Sequence, residues 1–529
     1  MADHTLGPAN SLLKTGQLKR FELEGKPVVI GRIDDTYYAV AGNCSHYGAP
    51  LDKGVLKGTN LICPWHHACF DIRSGERLEP PALNDLRHYP VRIADGDVVV
   101  TLPNDNQTEP PIRTVTSDET IVIIGGGAAG NAAAEELCRL KFTGKIIILS
   151  AVPAVPIDRP NLSKDYLDGH AQPEWIPLRD EKWYASRSID LQLNTSVTRV
   201  NPSEHTVTTK DGKSIAYNKL LLATGATPRQ LRDTPGTDLS NVFLLRELDD
   251  ATRIIEATQG AQKAVVIGAS FIGMEVAASL AKGRKLSVTV VAPEALPFER
   301  ILGPEIGRMF QSEHEANGVQ FRLRSEVAEI KGKGNKVASV VLKSGEEIPA
   351  DLVVIGVGVQ PTTDYLAESG LKMNDKDHSV EVNEKLQTSH PDIYAAGDIA
   401  RWQTDDGNST RIEHWRVAQQ HGIVAARNLA GRGDEITAHV LFFWTTQWDV
   451  ELRYVGHAEK WDEIIYRGRP QDKDFLAFYV AKRQLLAAAG LNRDAEMDAL
   501  ELILRDRLPL SVDQMRVESF DLVDYAKSG

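Results

Sequence analysis

Cys44-Ser-His46 and, after sixteen intervening residues, Cys63-Pro-Trp-His66 place two thiols and two imidazoles within one short stretch. Thiolate and imidazole are ligands of transition metals, so the quartet reads as a metal site. Two chemistries are open. One is a tetrahedral zinc held by two sulfurs and two nitrogens. The other is a two-iron cluster in which two His replace two Cys on one iron. Zinc fingers group Cys with Cys and His with His, whereas here each short loop supplies one of each, which favours the cluster. Purely structural roles for all four would need four coincidences. His67, beside the second box, is expected to be a surface or packed residue and not a ligand, and Cys69 a small core residue.

The ligand loops need a frame. Short alternating runs at Lys26–Ile30, Tyr37–Val40 and Asp97–Thr101, punctuated by Gly and Asp, predict small antiparallel strands with the loops between them. Pro64, Gly48, Gly54 and Gly58 allow the tight backbone that aiming four ligands at one site demands. This β-domain is expected over residues 8–104, and residues 102–117, polar and stiffened by Pro, read as a linker.

Downstream, Ile121-Val-Ile-Ile-Gly125-Gly-Gly127-Ala-Ala-Gly130 precedes a helical run from Asn131 to Leu140 and an apolar strand from Lys145 to Leu149. That order is the dinucleotide fingerprint in its required context. Gly125 permits the turn, Gly127 lets the backbone approach a pyrophosphate, and Gly130 allows close helix–strand packing. The pattern recurs about 140 residues later in Ala264-Val-Val-Ile-Gly268-Ala-Ser270-Phe271-Ile272-Gly273-Met-Glu275, with Ser270 for the middle Gly and a second strand at Leu286–Val291.

A chain of 529 residues is too long for one core, and about 150 residues per domain gives three or four. Hydrophobic content of 42% and charged content of 25% belong to a soluble globular protein. A net charge of −13 argues against nucleic acid or anionic membrane as partners, since both select basic surfaces. No apolar run approaches the ~18 residues of a membrane span. Met1-Ala-Asp-His-Thr lacks the basic and apolar regions of a secretory signal. Four Cys, two of them in the quartet, leave no disulfide framework, so a cytoplasmic location is expected.

The Cys-x-His…Cys-x-x-His arrangement resembles the Rieske [2Fe–2S] family. High-potential Rieske proteins carry an extra Cys in each loop, joined as a disulfide. Ala49 and Trp65 stand at those positions, so the resemblance implies the low end of the range, about −150 mV. The two glycine boxes, with Leu220-Leu-Leu-Ala-Thr224-Gly225-Ala and Ile393-Tyr-Ala-Ala-Gly397-Asp398-Ile, resemble the two-dinucleotide-binding flavoproteins, with FAD at the first box and NAD(P)H at the second. The resemblance implies that Asp398 binds the FAD ribityl chain, and it adds Val197 and Gly358 to the cofactor-binding residues. The acidic residue that closes each second strand in this family is absent at Ser150-Ala151, and Glu294 comes two residues late in the second fold. No Arg immediately follows that strand to hold a 2′-phosphate, so NADH is expected over NADPH.

Thiol-dependent relatives need a Cys beside the flavin. The stretch Pro156–Lys164 has none, and Cys138 lies earlier, in the first helix, where it is expected to pack. Arg159-Pro…Leu-Ser-Lys164 instead resembles the ferredoxin-NAD(P)H reductases of oxygenase systems and the apoptosis-inducing-factor family, in which the Lys pairs with the Glu of the second box. Carried over, Lys164 pairs with Glu275 as the catalytic pair. By the same resemblance Arg246 and Glu413-His414-Trp415 lie at the flavin, with the triplet opening a long helix, and Trp444 covers the ring and nicotinamide. As a whole, the chain most resembles the Rieske-containing, member-3 type of apoptosis-inducing-factor-like proteins.

The resemblance implies a multi-domain α/β plus all-β fold. An N-terminal Rieske β-domain precedes two Rossmann-like domains of the glutathione-reductase type, FAD over 118–250 and 373–435 and NAD(P)H over 251–372. A C-terminal α/β domain over 436–529, with a strand at Phe475–Val480 and a helix at Ala495–Leu504, carries no visible chemistry of its own. The expected activity passes electrons from NAD(P)H through FAD to the cluster and on to a one-electron acceptor, such as an oxygenase or an electron-carrier protein. The alternatives are an NADH-responsive redox sensor or the reductase component of a separate oxygenase. A monomer or homodimer is expected.

Overall fold

The computed structural model describes residues 2–103, 113–403, 409–436 and 440–529. Most of the linker expected at 102–117 lies outside these residues. The chain divides into two compact units. One comprises Met1–Pro111, Ala438–Trp444 and Leu452–Gly529; the other comprises Ile112–Thr437 and Thr445–Glu451.

The second unit is built on two parallel sheets. In the first, the order in space is Ile189–Gln192, Lys145–Leu149, Thr120–Ile124, Lys219–Leu222 and Ile393–Ala395. The central strands are continuous β-branched and Leu-rich runs because helices cover both faces of such a sheet. Ile121, Val122 and Ile123 are wholly buried. The glycine-box helix spans Ala128–Arg139, three residues earlier than the Asn131 start expected from sequence, because extended Gly127 is its N-cap and the small residues 128–130 fill the first turn. It packs beside the long helix Trp415–Leu429.

The second sheet runs Val242–Phe243, Leu352–Ile355, Lys263–Ile267, Ser287–Val291 and Gln320–Arg322. Val242–Phe243 therefore joins this sheet ahead of the boundary set at residue 251. The second box helix is Phe271–Lys282, with Ser270 at its N-cap.

In the first unit the N-terminal strands form three small antiparallel sheets. Leu18–Leu23, Lys26–Ile33, Thr36–Ala41 and His88–Tyr89 make one, and Val55–Lys57, Asn60–Ile62, Cys69–Asp71 and Arg77–Glu79 another. The third pairs Asp97–Leu102 with Ala2–Pro8 and Val91–Ala94, so the domain begins before residue 8. The C-terminal part contributes an antiparallel sheet that includes Asp474–Ala481 and Gln484–Leu491, then the helix Asp494–Arg505. Val55, Ile62 and Cys69 share a core with Leu476, Met497 and Leu500, so the small N-terminal sheet and the C-terminal part fold around common apolar residues. No helix among the described residues is long and apolar enough to cross a membrane.

Candidate cluster centre and nucleotide site

The two ligand loops are built alike. In the first, the Cys44 N–H donates to the Ala49 carbonyl at 2.8 Å and the Gly48 N–H donates to Cys44 at 3.0 Å. In the second, Cys63 donates to Ala68 at 2.9 Å and His67 donates to Cys63 at 3.1 Å. Gly48 and His67 thus hold the same position, and both take left-handed φ, +82° and +56°. At Gly48 the conformation is free; at His67 it costs about 1–2 kcal/mol. Gly54 is required for a different reason, since a Cβ there would lie 2.0 Å from the Ile62 carbonyl oxygen.

These turns bring the quartet together in pairs. The Cys44 and Cys63 thiols hydrogen-bond each other, and the Nδ1 atoms of His46 and His66 face each other at 3.0 Å. One zinc with bonds of about 2.0–2.3 Å would draw all four donors within roughly 4 Å of one another. Among the described residues, three or more metal-type donors within 4.8 Å of one another occur at His205, His390 and Asp392, and not at the quartet. A sulfur pair and a nitrogen pair set apart suit two metal ions, one per pair, so the residues fit a [2Fe–2S] cluster better than a zinc. Burial pushes the His46 imidazole down to about 3, which keeps a nitrogen lone pair free for a metal. Burial pushes the Cys63 thiol well above its usual range, so thiolates here call for a cation between them. All four Cys are free of disulfides.

Aromatic rings surround the imidazoles. Tyr47 stacks on His46 at 3.9 Å, and the Trp444 ring lies 4.4 Å from His66 and 6.2 Å from His46. His67 is wholly buried, not at the surface. Its Nδ1 makes a very short contact with Glu501, and its Nε2 lies 3.1 Å from Asp498 Oδ1. Sequence reasoning missed both carboxylates. Their spacing with Asp494 along one face of a helix was the available signal.

In the second unit, Gly125 has φ +112°, and a Cβ there would meet the Ala223 carbonyl oxygen at 2.2 Å. A Cβ at Gly130 would lie 1.9 Å from the Gly125 oxygen, and one at Gly127 would lie 2.7 Å from Arg159 Nη1. Gly268 and Gly273 repeat the first two constraints, with clashes at 2.3 Å and 2.2 Å. Two arginines, each paired with a carboxylate, stand by the first box. Arg159 pairs with Glu247 at 2.7 Å, Arg246 pairs with Asp398 at 3.0 Å, and the buried Arg159 Nε has no protein partner. Bare glycine backbone at a helix N-terminus, facing an Arg with an unused donor, fits a pyrophosphate, and so FAD. Gly225 and Gly397, with φ +67° and +77°, lie on the same side, and a Cβ on Gly225 would approach both Arg246 and Asp398. Thr224 Oγ1 donates to the Thr362 carbonyl at 2.7 Å.

Lys164 Nζ and Glu275 Oε2 form an ion pair at 2.8 Å. Glu275 is 5% exposed and accepts two more hydrogen bonds, from Ser163 Oγ at 2.6 Å and Thr445 Oγ1 at 2.7 Å. Glu413 pairs with Arg411 at 2.6 Å, and His414 caps the helix Trp415–Leu429. Burial, and after it the Lys164 charge, push the His414 imidazole down to about 3. Phe271 stacks on Phe298 at 4.8 Å, and Ile272 is 38% exposed. Gly358 turns the chain at φ +93°, and Val197 opens the strand Val197–Asn201. The Glu294 carbonyl accepts the Arg324 N–H at 3.0 Å, which places an Arg beside Glu294 that strand-end reasoning overlooked.

Residues 119–422 match the pyridine nucleotide-disulphide oxidoreductase family, residues 5–90 the Rieske [2Fe-2S] domain, and residues 442–526 the reductase C-terminal domain. The chain is 35% identical to human apoptosis-inducing factor 3, over 98% of its own length and 86% of the relative's. It is 34% identical to the putidaredoxin reductase of Pseudomonas putida, over 72% of this chain and 90% of the relative. The solved covalent putidaredoxin reductase–putidaredoxin complex matches with a TM-score of 0.74 at 32% identity, covering 78% of this chain and all of that one. The ferredoxin reductase of the CYP199A2 system from Rhodopseudomonas palustris matches with a TM-score of 0.73 at 32% identity, covering 77% of this chain and 100% of that one. The chain belongs to the pyridine nucleotide-disulphide oxidoreductase family, as an FAD-dependent NAD(P)H oxidoreductase with an N-terminal Rieske domain and a reductase C-terminal domain.

Proposed function

We propose that this chain takes electrons from NAD(P)H through FAD to its own Rieske cluster and on to a one-electron acceptor. The observation that carries the reading is the cluster-type quartet, Cys44, His46, Cys63 and His66, on the same chain as a ferredoxin-reductase body. Bound FAD supplies hydride acceptance with release of electrons one at a time, and the cluster supplies a one-electron carrier.

The residues divide the work. The sheet centred on Thr120–Ile124 and its loops hold FAD, with Gly125, Gly127, Gly130 and Arg159 at the pyrophosphate and Arg246 and Asp398 at the ribityl chain. Residues 251–372 hold NAD(P)H on Gly268, Phe271, Ile272 and Gly273. Lys164, fixed by Glu275, sets a positive charge beside the flavin ring, which favours the reduced form. Neutral His414 offers a hydrogen bond without a second charge. Glu294 favours NADH through the adenosine ribose, against the pull of neighbouring Arg324 on a 2′-phosphate. With Cys44 and Cys63 on the cluster, Cys69 and Cys138 form no disulfide, which suits a reducing cytoplasm.

The test compares wild type with Cys63→Ser in NADH-driven reduction of a small ferredoxin. The reading predicts that Cys63→Ser keeps NADH-dependent flavin bleaching and loses most acceptor reduction. Equal acceptor reduction by both would overturn it and favour the second reading, a reductase that serves a separate carrier. That reading draws on relatives named for putidaredoxin and for a demethylase's ferredoxin reductase subunit.

A further inference from the structure

One face of the C-terminal helix Asp494–Arg505 grips the second ligand loop from three residues. Asp494 Oδ1 pairs with Arg453 Nη1 at 2.7 Å, and Arg453 Nε donates to the Trp65 carbonyl at 2.9 Å. One turn on, Asp498 stands 3.1 Å from His67 Nε2, and a further turn on, Glu501 contacts His67 Nδ1. Arg505 closes the row by pairing with Glu501 at 2.6 Å. Positions i, i+4, i+7 and i+11 share a helix face, so the row is one device and not four separate pairs.

The loop needs such a device. His67 occupies the left-handed position that Gly48 fills in the first loop, and an imidazole pays a steric penalty there that a glycine does not. The strain persists because the ring is fixed on three sides. Glu501 contacts one ring nitrogen, the Asp498 carboxyl lies beside the other at 3.1 Å without hydrogen-bond alignment, and the Phe442 ring stacks on its face at 4.1 Å. His67 is wholly buried, and Asp498 and Glu501 are 0% and 1% exposed. Trp65 and His67 flank His66 on either side, so the helix holds the backbone directly before and directly after a ligand.

Resting on the reading of Cys44, His46, Cys63 and His66 as cluster ligands, we propose that Asp494, Asp498 and Glu501 of the C-terminal helix are positioning residues for the cluster, acting through Arg453 and His67 to aim His66. The first loop has Gly48 where the second has His67, so the two imidazoles differ in support, and the C-terminal part reaches the cluster through the second. Partners that orient metal ligands typically cost about 10–100-fold in metal affinity when removed.

The test uses the full holoprotein. Wild type, Glu501→Gln, Glu501→Ala and His67→Gly are reduced with dithionite, examined by EPR and timed for iron loss to a chelator, with the thermal midpoint as control. Glu501→Gln keeps a carbonyl oxygen in place and retains the wild-type g-values and iron retention. Glu501→Ala shifts and broadens the g-values and loses iron about ten-fold faster. His67→Gly relieves the backbone strain, removes the grip and follows Glu501→Ala. Wild-type g-values and iron retention in both Glu501→Ala and His67→Gly, whatever their thermal midpoints, would overturn the proposal. A wild-type protein that holds iron and gives no Rieske signal would instead overturn the ligand reading beneath it.

Discussion

Glu275→Ala removes the acceptor at the centre of the Lys164–Glu275 pair. In the wild type the carboxylate is 5% exposed and takes three bonds, from Lys164 at 2.8 Å, Ser163 at 2.6 Å and Thr445 at 2.7 Å. Truncation leaves the ammonium, whose side chain is 15% exposed, beside two hydroxyls with no anion. Breaking a buried pair from one side costs about 3–5 kcal/mol, and the residual exposure of Lys164 points to the lower end, about 3 kcal/mol. Glu275→Gln keeps the shape and an acceptor oxygen but loses the charge, so a cost near one charge-assisted hydrogen bond, about 1.5–3 kcal/mol, is expected. Urea titration followed by flavin release reports on the nucleotide-binding unit. With a slope of about 3 kcal/mol/M, Glu275→Ala lowers the midpoint by roughly 1 M and Glu275→Gln by roughly half that or somewhat more. The same variants reduce flavin more slowly with NADH, Glu275→Ala more than Glu275→Gln. A Glu275→Ala midpoint within about 0.3 M of wild type at unchanged slope, with unchanged flavin reduction, would refute the claim that this carboxylate organises the site.

Gly130→Ala drives a methyl into the Gly125 carbonyl oxygen at 1.9 Å and is expected to yield protein with little bound flavin, whereas Gly212→Ala, with nothing within 4 Å, keeps full flavin at a cost of about 1 kcal/mol for its positive φ. Absorbance ratios of flavin to protein check both. His314 is wholly buried, with its Nε2 at 2.9 Å from Gln447 Oε1, and burial pushes its imidazole down to about 4. The unfolded chain takes up that proton near pH 6.5, so the stability contribution is whole above that pH and falls as pH drops toward 4, by about 2 kcal/mol between pH 7 and 5. Urea midpoints of wild type and His314→Gln at the two pH values check this; the variant should lose less on acidification by that amount.

The glycine boxes were legible because backbone geometry dictates them. Gly125, Gly130, Gly268 and Gly273 each meet a carbonyl oxygen at 2.3 Å or less once a Cβ is added, and no other residue escapes that. The quartet was legible because few side chains bind metals and four stood in two short boxes. Contacts between distant segments left no periodic trace. Thr445 lies 170 residues from Glu275, and Glu501 lies 434 residues from His67. The helix Asp494–Arg505 was expected over Ala495–Leu504 with no visible chemistry, yet Asp498 and Glu501 on it are buried against a ligand loop. Helix and strand ends moved by a few residues where caps decide them, as Gly127 does for the first glycine-box helix. The short strand Val242–Phe243 carried too little pattern to reveal which sheet it joins.

In the proposed relay the two electrons of the hydride taken from NAD(P)H pass singly through the chain's own cluster while its proton stays behind. Anaerobic mixing of the holoprotein with NADH, frozen within a few turnover times and read by EPR, tests it most directly. The relay predicts a Rieske signal that grows as flavin absorbance bleaches and is absent in Cys63→Ser. Full bleaching of the flavin with no Rieske signal, in protein whose cluster is reducible by dithionite, would contradict it.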